Sequence, residues 1–283
     1  TKRAKVHVPE GAIHAYRIAD SRWNEFVLID GEGKEVSVSL TTAGTLASEV
    51  VRKADYLQEV NAIRISGELN QSDLNIVRDN MPNLISIDIT DANLTDIPDY
   101  WLQDRWSIEE IKLPKVLRSI GYYSFRDCDH LKSIKLVEGL TTVGSHAFSS
   151  CDDLKEVWLP STLAELSSSL FSSCESLTTV HFSEGLTTIG NSAFNSTGLT
   201  SAVMPSTLKE IGSSAFSRCP LENVVLNEGL EMLKDYSFSN CDALKEITLP
   251  STLTHCYNKP FCDDDNLKNI RVLSGVPPYV NGS

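Results

Sequence analysis

The feature that most constrains this chain is a pattern that returns every 22 or 23 residues. Written from its first column it reads I-x-L-P-x-x-L-x-x-I-G-x-x-A-F-x-x-C-x-x-L-x-x, with units starting at Ile111, Ile134, Val157, Val180, Ala202, Val224 and Ile247. Column 15 is Phe125, Phe148, Phe171, Phe194, Phe216, Phe238 and Phe261, and column 7 is a leucine in every unit from Leu117 to Leu253. Column 18 is Cys128, Cys151, Cys174, Thr197, Cys219, Cys241 and Asp264, so five of the seven cysteines share one position. Two looser units of 24 residues begin at Ile63 and Ile87, and an incomplete one begins at Ile270. A unit of this size cannot bury its own apolar residues. Successive units must therefore stack and share one core, which makes the chain a solenoid held by nearest-neighbour interfaces.

Within each unit, segments such as Leu154-Lys-Glu-Val-Trp-Leu159 end in the alternation of a half-buried strand. Stacked strands of this kind pair in parallel into one long sheet. After the strand, the turn alternates between a glycine form (VEGL at 137, SEGL at 183, NEGL at 227) and a proline form (PSTL at 160, 205 and 250), which suggests a two-coil ancestral unit. Glycines at 121, 144, 190 and 212 then precede a short helical turn carrying the phenylalanine. Columns 1, 3, 7, 10, 15, 18 and 21 are expected to face inward. A column-18 cysteine is a small, apolar core rung in this arrangement, and equivalent rungs point the same way rather than at one another. Cys256 and Cys262 lie outside that column and leave a disulfide open.

Residues 1–62 do not repeat. Short strands are expected at Lys5–Val8, Phe26–Ile29 and Val36–Leu40, with a turn at Asp30-Gly31-Glu32-Gly33. Thr45 is placed to cap a helix running to about Val60, and the whole segment suits a cap over the first coil. The solenoid is expected over 63–275 and a tail over 276–283, where Pro277-Pro278 should blunt the open sheet edge.

Composition narrows function. A net charge of -13 opposes binding to nucleic acid or anionic membranes, since either needs a basic footprint. No apolar run approaches the ~20 residues that span a bilayer. The serine-rich turns contain no G-x-S-x-G elbow, and His7, His14, His130, His146, His181 and His255 share no metal spacing. Gly31-x-Gly33 lacks the rest of a dinucleotide loop, and Asp263-Asp264-Asp265-Asn266 lacks the glycine and glutamate of a calcium loop, so it is read as a solvated acidic turn. Asn70, Asn93 and Asn195 open glycosylation sequons of low information. No cofactor, no metal and no catalysis are expected.

The recurring LP-x-x-L and AF-x-x-C motifs resemble the BspA-type (Treponema-like) leucine-rich repeat, over about three quarters of the chain from Ile63 onward. Thr42-AGTLASEVVRKADYLQEVNAIRISGELNQSDL resembles the segment that opens many such surface proteins. The resemblance implies an α/β repeat solenoid, a right-handed leucine-rich-repeat superhelix with one long parallel sheet. It also implies an extracellular or cell-surface protein, lipid-anchored through a removed signal, acting as an adhesin for a host or bacterial surface protein or glycan. A structural spacer within a larger surface protein, and an accessory to a glycan-handling enzyme, are the alternative readings. The chain is expected to act as a monomer.

The repeat also locates a candidate site. The residue between columns 1 and 3 points away from the core, and stacking lines these positions up as Arg64, Asp88, Lys112, Lys135, Trp158, His181, Val203, Val225, Thr248 and Arg271. Trp158, His181, Val203 and Val225 make an apolar strip where solvated positions are ordinarily polar, with Glu156 and Thr179 in the adjacent outward column. Trp158 is expected to present a flat ring to a sugar or an aromatic side chain. Register is testable on the other side of the sheet: Phe194→Ala should cost about 3 to 5 kcal/mol of unfolding free energy, and near-wild-type melting would mean that column 15 does not face the core.

Overall fold

The computed structural model describes residues 4–10, 12–19, 22–23, 26–30 and 33–280. Gly31 and Glu32 of the expected turn, and the side chain of His14, lie outside the described residues. Parallel strands Lys34–Leu40, Val60–Gly67, Ser86–Asp88 and Glu110–Lys112 pair in that order. The ladder continues in equivalent positions as Ser133–Lys135, Glu156–Trp158 and Thr179–His181, then Ser201–Val203 with Asn223–Val225, then Glu246–Leu249 with Asn269–Val272. Column 1 faces the core throughout the complete units, fully at Ile111, Ile134, Val157, Ala202 and Ile247 and partly at Val180 and Val224. The ladder starts at Lys34, within the stretch that the sequence reading assigned to a capping segment.

A second parallel ladder runs beside the first, which the sequence reading did not foresee. It consists of two-residue strands: Asp96–Ile97, Ser119–Ile120 and Thr142–Val143 in one run, and Glu165–Leu166 through Tyr279–Val280 in another. Column 10 supplies the inward residue and column 9 the outward one, an alternation too short to stand out as a strand. Pro277 and Pro278 do not end this ladder. They sit in the turn between strands, and Tyr279 and Val280 pair with His255 and Cys256 beyond them.

The phenylalanine turn is not helical. From Tyr100 to Asp263 each coil places two non-glycine residues four apart at positive φ, as in Ser169 (55°) with Ser173 (62°) and Tyr123 (57°) with Asp127 (57°). Left-handed backbone costs about 1 kcal/mol or more per residue. What offsets it is a set of bonds between coils: Ser169, Phe171 and Ser173 donate to Asn191, Ala193 and Asn195 carbonyls, each at 2.8 Å. The serines here hold a backbone conformation and are more than polar filler. Inside the turn the rings stack, Phe125 to Phe261, with neighbouring centroids 5.0–5.8 Å apart and planes within 16°. One coil earlier Leu102 takes the phenylalanine place, its N–H donating to the Ser124 carbonyl and its carbonyl accepting the Cys128 thiol, and Trp101 beside it crosses Phe125 edge-on.

The alternating turns interlock. Glu184 of the glycine form accepts from the backbone N–H and the hydroxyl of Ser206 in the proline form one coil on, while Thr207 receives the Gly185 N–H and donates to the Leu186 carbonyl. Glu138 with Ser161 and Glu228 with Ser251 repeat the clasp. These bonds hold the Glu184 and Glu228 carboxyls below the usual carboxylate range. Gly185 lies at φ 110°, and a Cβ there would meet the Ser161 carbonyl oxygen at 2.5 Å, so this corner admits no side chain.

At the N-terminal end, helix Leu46–Val51 stops well short of Val60, and Thr45 makes no capping bond. Its hydroxyl donates to the Thr42 carbonyl instead, and the capping acceptor is buried Asp73 from the next coil, which takes the Gly44 and Leu46 N–H groups. Asp73 also completes a capping box with Asn70 on helix Gln71–Asn80, which replaces the phenylalanine turn in the first repeat. Before the ladder, strands Lys5–Val8 and Val27–Asp30 pair in parallel around helix Ile13–Ala19 and a small core of Val8, Ile13 and Leu28. Two buried asparagines join this unit to the solenoid: Asn83 Oδ1 accepts the Leu28 N–H at 3.1 Å, and Asn61 Nδ2 donates to the Leu28 carbonyl at 3.3 Å.

All seven cysteines are free. In column 18 the thiol donates to the carbonyl of the aromatic-turn residue one coil back, as from Cys174 to Phe148 (3.0 Å) and from Cys241 to Phe216 (3.2 Å). Burial raises the thiols of Cys128, Cys151 and Cys241 far out of the reactive range, and that of Cys219 to about 11. Cys256 faces inward in column 10, and Cys262 is half-buried beside Asp263.

Asp264 corrects the expectation of a solvated acidic turn, because it occupies the cysteine place and is only 9% exposed. Its Oδ1 accepts the Cys241 N–H at 2.6 Å, and its Oδ2 has no hydrogen-bond partner among the described residues. Burial pushes its carboxyl up to about 6, with Asp242 and Asp263 adding to the rise. A folded value above the unfolded one (about 3.9) means that the fold binds the proton more tightly, so stability falls as pH rises from about 4 through 6. Between those limits the wild type should lose on the order of 2 kcal/mol more than Asp264→Asn does, measured by urea unfolding at each pH. Parallel pH profiles for the two chains would contradict this.

Candidate ligand-binding site on the sheet face

Outward positions on the main ladder are free of packing duties, so their side chains meet solvent and one another. Trp158 and His181 stand opposite each other in registered neighbouring strands, and Glu156 stands opposite Thr179. Their rings stack with centroids 5.1 Å apart and planes 8° from parallel. His181 Nε2 meets Glu156 Oε1 at 2.7 Å, which ties the imidazole down and locks the stack. Three of the six residues singled out from the sequence therefore form one contact group. Thr179 lies exposed beside it.

Val203 and Val225 pair with each other in a separate run of the ladder, 61% and 46% exposed, and no registered strand pair joins His181 to Val203. The four-residue apolar strip expected from the sequence is thus two patches. The interruption falls at the first 22-residue coil, where Gly198 sits so close to the preceding coil that a Cβ would meet the Glu175 carbonyl oxygen at 2.5 Å.

One face of the Trp158 ring is covered by His181. On the opposite side of Trp158 a groove of about 410 Å³ opens, with Leu136, Leu159 and Pro160 as its floor, Val137 as a wall, and Lys115, Lys135 and Glu138 at the rim. Sequence reasoning placed Lys135 next to Trp158 but named none of these groove residues as a site. The signal was present in the column order, since Lys135 and Val137 are the outward residues of the preceding coil. Among the described residues, no group of three or more His, Cys, Asp or Glu side chains could hold a metal ion, and no helix is long and apolar enough to cross a membrane.

Stacked coils joined by parallel strands, with a phenylalanine rung in each complete unit from Phe125 to Phe261, define a leucine-rich-repeat solenoid. The chain belongs to the family described as the BspA type leucine rich repeat region, whose profile matches residues 95–221 and 209–278 in six copies. No curated protein matches the chain by sequence. Among solved structures it is similar to a leucine-rich repeat protein from Bacteroides ovatus (21% identity, 75% of this chain and 73% of that one, TM-score 0.43). It is also similar to the T. pallidum leucine rich repeat protein TpLRR (20% identity, 67% and 78%, TM-score 0.44) and to the pneumococcal vaccine antigen PcpA (15% identity, 88% and 69%, TM-score 0.45).

Proposed function

We propose that the chain is a non-catalytic recognition module, displayed at the cell surface or secreted, that binds a macromolecular ligand through the outward sheet face around Trp158. The observation that carries the reading is the Trp158 group itself. An indole stands on a solvated face, clamped on one side by His181 and Glu156 and bordering a groove on the other. A ring pre-ordered in this way loses little conformational entropy on binding, which is what makes aromatic anchors effective at interfaces. Val203 and Val225 offer a second, smaller contact patch on the same sheet face. The repeat supplies the rigid surface, and the outward columns supply its chemistry.

The alternative is a spacer in a larger surface protein, favoured by the clasps that join the turns in pairs, Glu138 with Ser161, Glu184 with Ser206 and Glu228 with Ser251. Screening the purified chain against arrays of surface proteins, extracellular-matrix proteins and glycans separates the two, since a spacer captures nothing. For the ligand found, Trp158→Ala should weaken binding by at least ~2 kcal/mol while the melting temperature stays close to wild type. Unchanged affinity in that variant would move the site elsewhere on the molecule.

A further inference from the structure

The two sides of the Trp158 groove differ in a way that points to the chemistry of its occupant. Its floor and wall are aliphatic, and the polar groups around it are largely committed. The Leu136 N–H donates to the Trp158 carbonyl at 3.0 Å, Glu138 is held by Ser161, and Lys115 is paired with Asp91 at 2.8 Å. Among the described residues the Lys135 side chain makes no hydrogen bond or ion pair, and it is exposed at the rim. A sugar carries a hydroxyl on most of its carbons and needs donors and acceptors to replace water; this groove supplies very few. An apolar side chain needs none.

We infer that the groove takes a single apolar side chain, aromatic or leucine-sized, from a protein partner, and that the residues flanking this anchor are acidic. The inference rests on the sheet-face reading above and names its ligand class. Charge complementarity supports the acidic flanks. On a chain of net charge -13, the outward column leading to Trp158 runs Arg64, Asp88, Lys112 and Lys135, three cations to one carboxylate, with Lys115 beside it. The partners of Arg64 and Lys112, Asp91 and Glu110, are themselves exposed surface carboxylates, so a ligand carboxylate can compete for these cations, and it finds Lys135 uncommitted. Elsewhere the net negative charge repels an acidic partner, so the exposed lysines beside Trp158, Lys135 above all, also set where such a ligand lands.

The test is a random-peptide display selection on the immobilised full chain, with the Trp158→Ala chain used for counter-selection. Enriched peptides should carry an aromatic or leucine residue with Asp or Glu within a few positions. As synthetic peptides they should bind Lys135→Glu at least about tenfold more weakly than wild type, and the wild-type affinity should fall as salt rises. Circular dichroism melting of both variants checks that they are folded. Trp158-dependent peptides with neutral or basic flanks would overturn the ligand class and leave the sheet-face reading intact, as would Trp158-dependent capture of an oligosaccharide such as oligogalacturonate with no peptide enriched. Peptides that bind the Trp158→Ala chain equally well, or no enrichment at all in the peptide and oligosaccharide arms, would overturn the inference together with the reading beneath it.

Discussion

Everything in this molecule depends on the fact that no coil can satisfy itself. A coil of this size has too little apolar surface to close around its own interior, and its backbone N–H and C=O groups point along the solenoid axis rather than across it. Each coil is therefore completed by the next, in three places. The main ladder pairs the strands, the two-residue ladder pairs the column-9 and column-10 positions, and the phenylalanine turn sends a further set of N–H groups forward. The strained left-handed residues of that turn persist because both flanking coils demand the same peptide orientation. The ring stack from Phe125 to Phe261 fills the space that this orientation creates.

The same neighbour dependence explains the polar residues that recur in the core. The Phe125 and Phe216 carbonyls each accept a local turn bond, from the Cys128 and Cys219 N–H groups, and a column-18 thiol one coil on, Cys151 or Cys241, supplies a second donor. A small side chain with a weak donor is what the position needs, and Thr197 meets the need within its own coil by donating to the Phe194 carbonyl. Asp264 can donate from its carboxyl only when protonated, which agrees in direction with its raised pKa. On the surface the Glu184–Ser206 clasp performs the equivalent service for the turns, and it accounts for the alternation of glycine and proline forms along the chain.

With the inward columns committed to stacking, variation is left to the outward ones, and the candidate site arises there. Trp158 costs the core nothing, since Val157 and Leu159 on either side of it carry the packing. Its neighbours along the ladder give it two different faces, an imidazole on one side and an aliphatic groove with a lysine rim on the other. A ring in this position is ordered by the solenoid yet open to a partner, which suits the recognition role proposed for it.

The sequence by itself determined the stacking register, the inward columns and the outward order that brings Trp158 beside His181, because each is a direct consequence of a pattern repeated at fixed spacing. It also determined the family, for the same reason. What it did not reveal lies where one residue's conformation depends on a different coil. The second ladder was hidden because two residues of alternation carry almost no signal, and the left-handed turn because serine, tyrosine and histidine adopt it only when a neighbouring coil holds them there. Helix Leu46–Val51 is capped by Asp73 from the following coil rather than by the adjacent Thr45, a choice no local propensity expresses. The separation of Val203 and Val225 from His181, and the groove beside Trp158, were likewise decided by tertiary structure. Both depend on how closely consecutive coils approach, and that distance is set by packing between coils rather than by the order of residues within one.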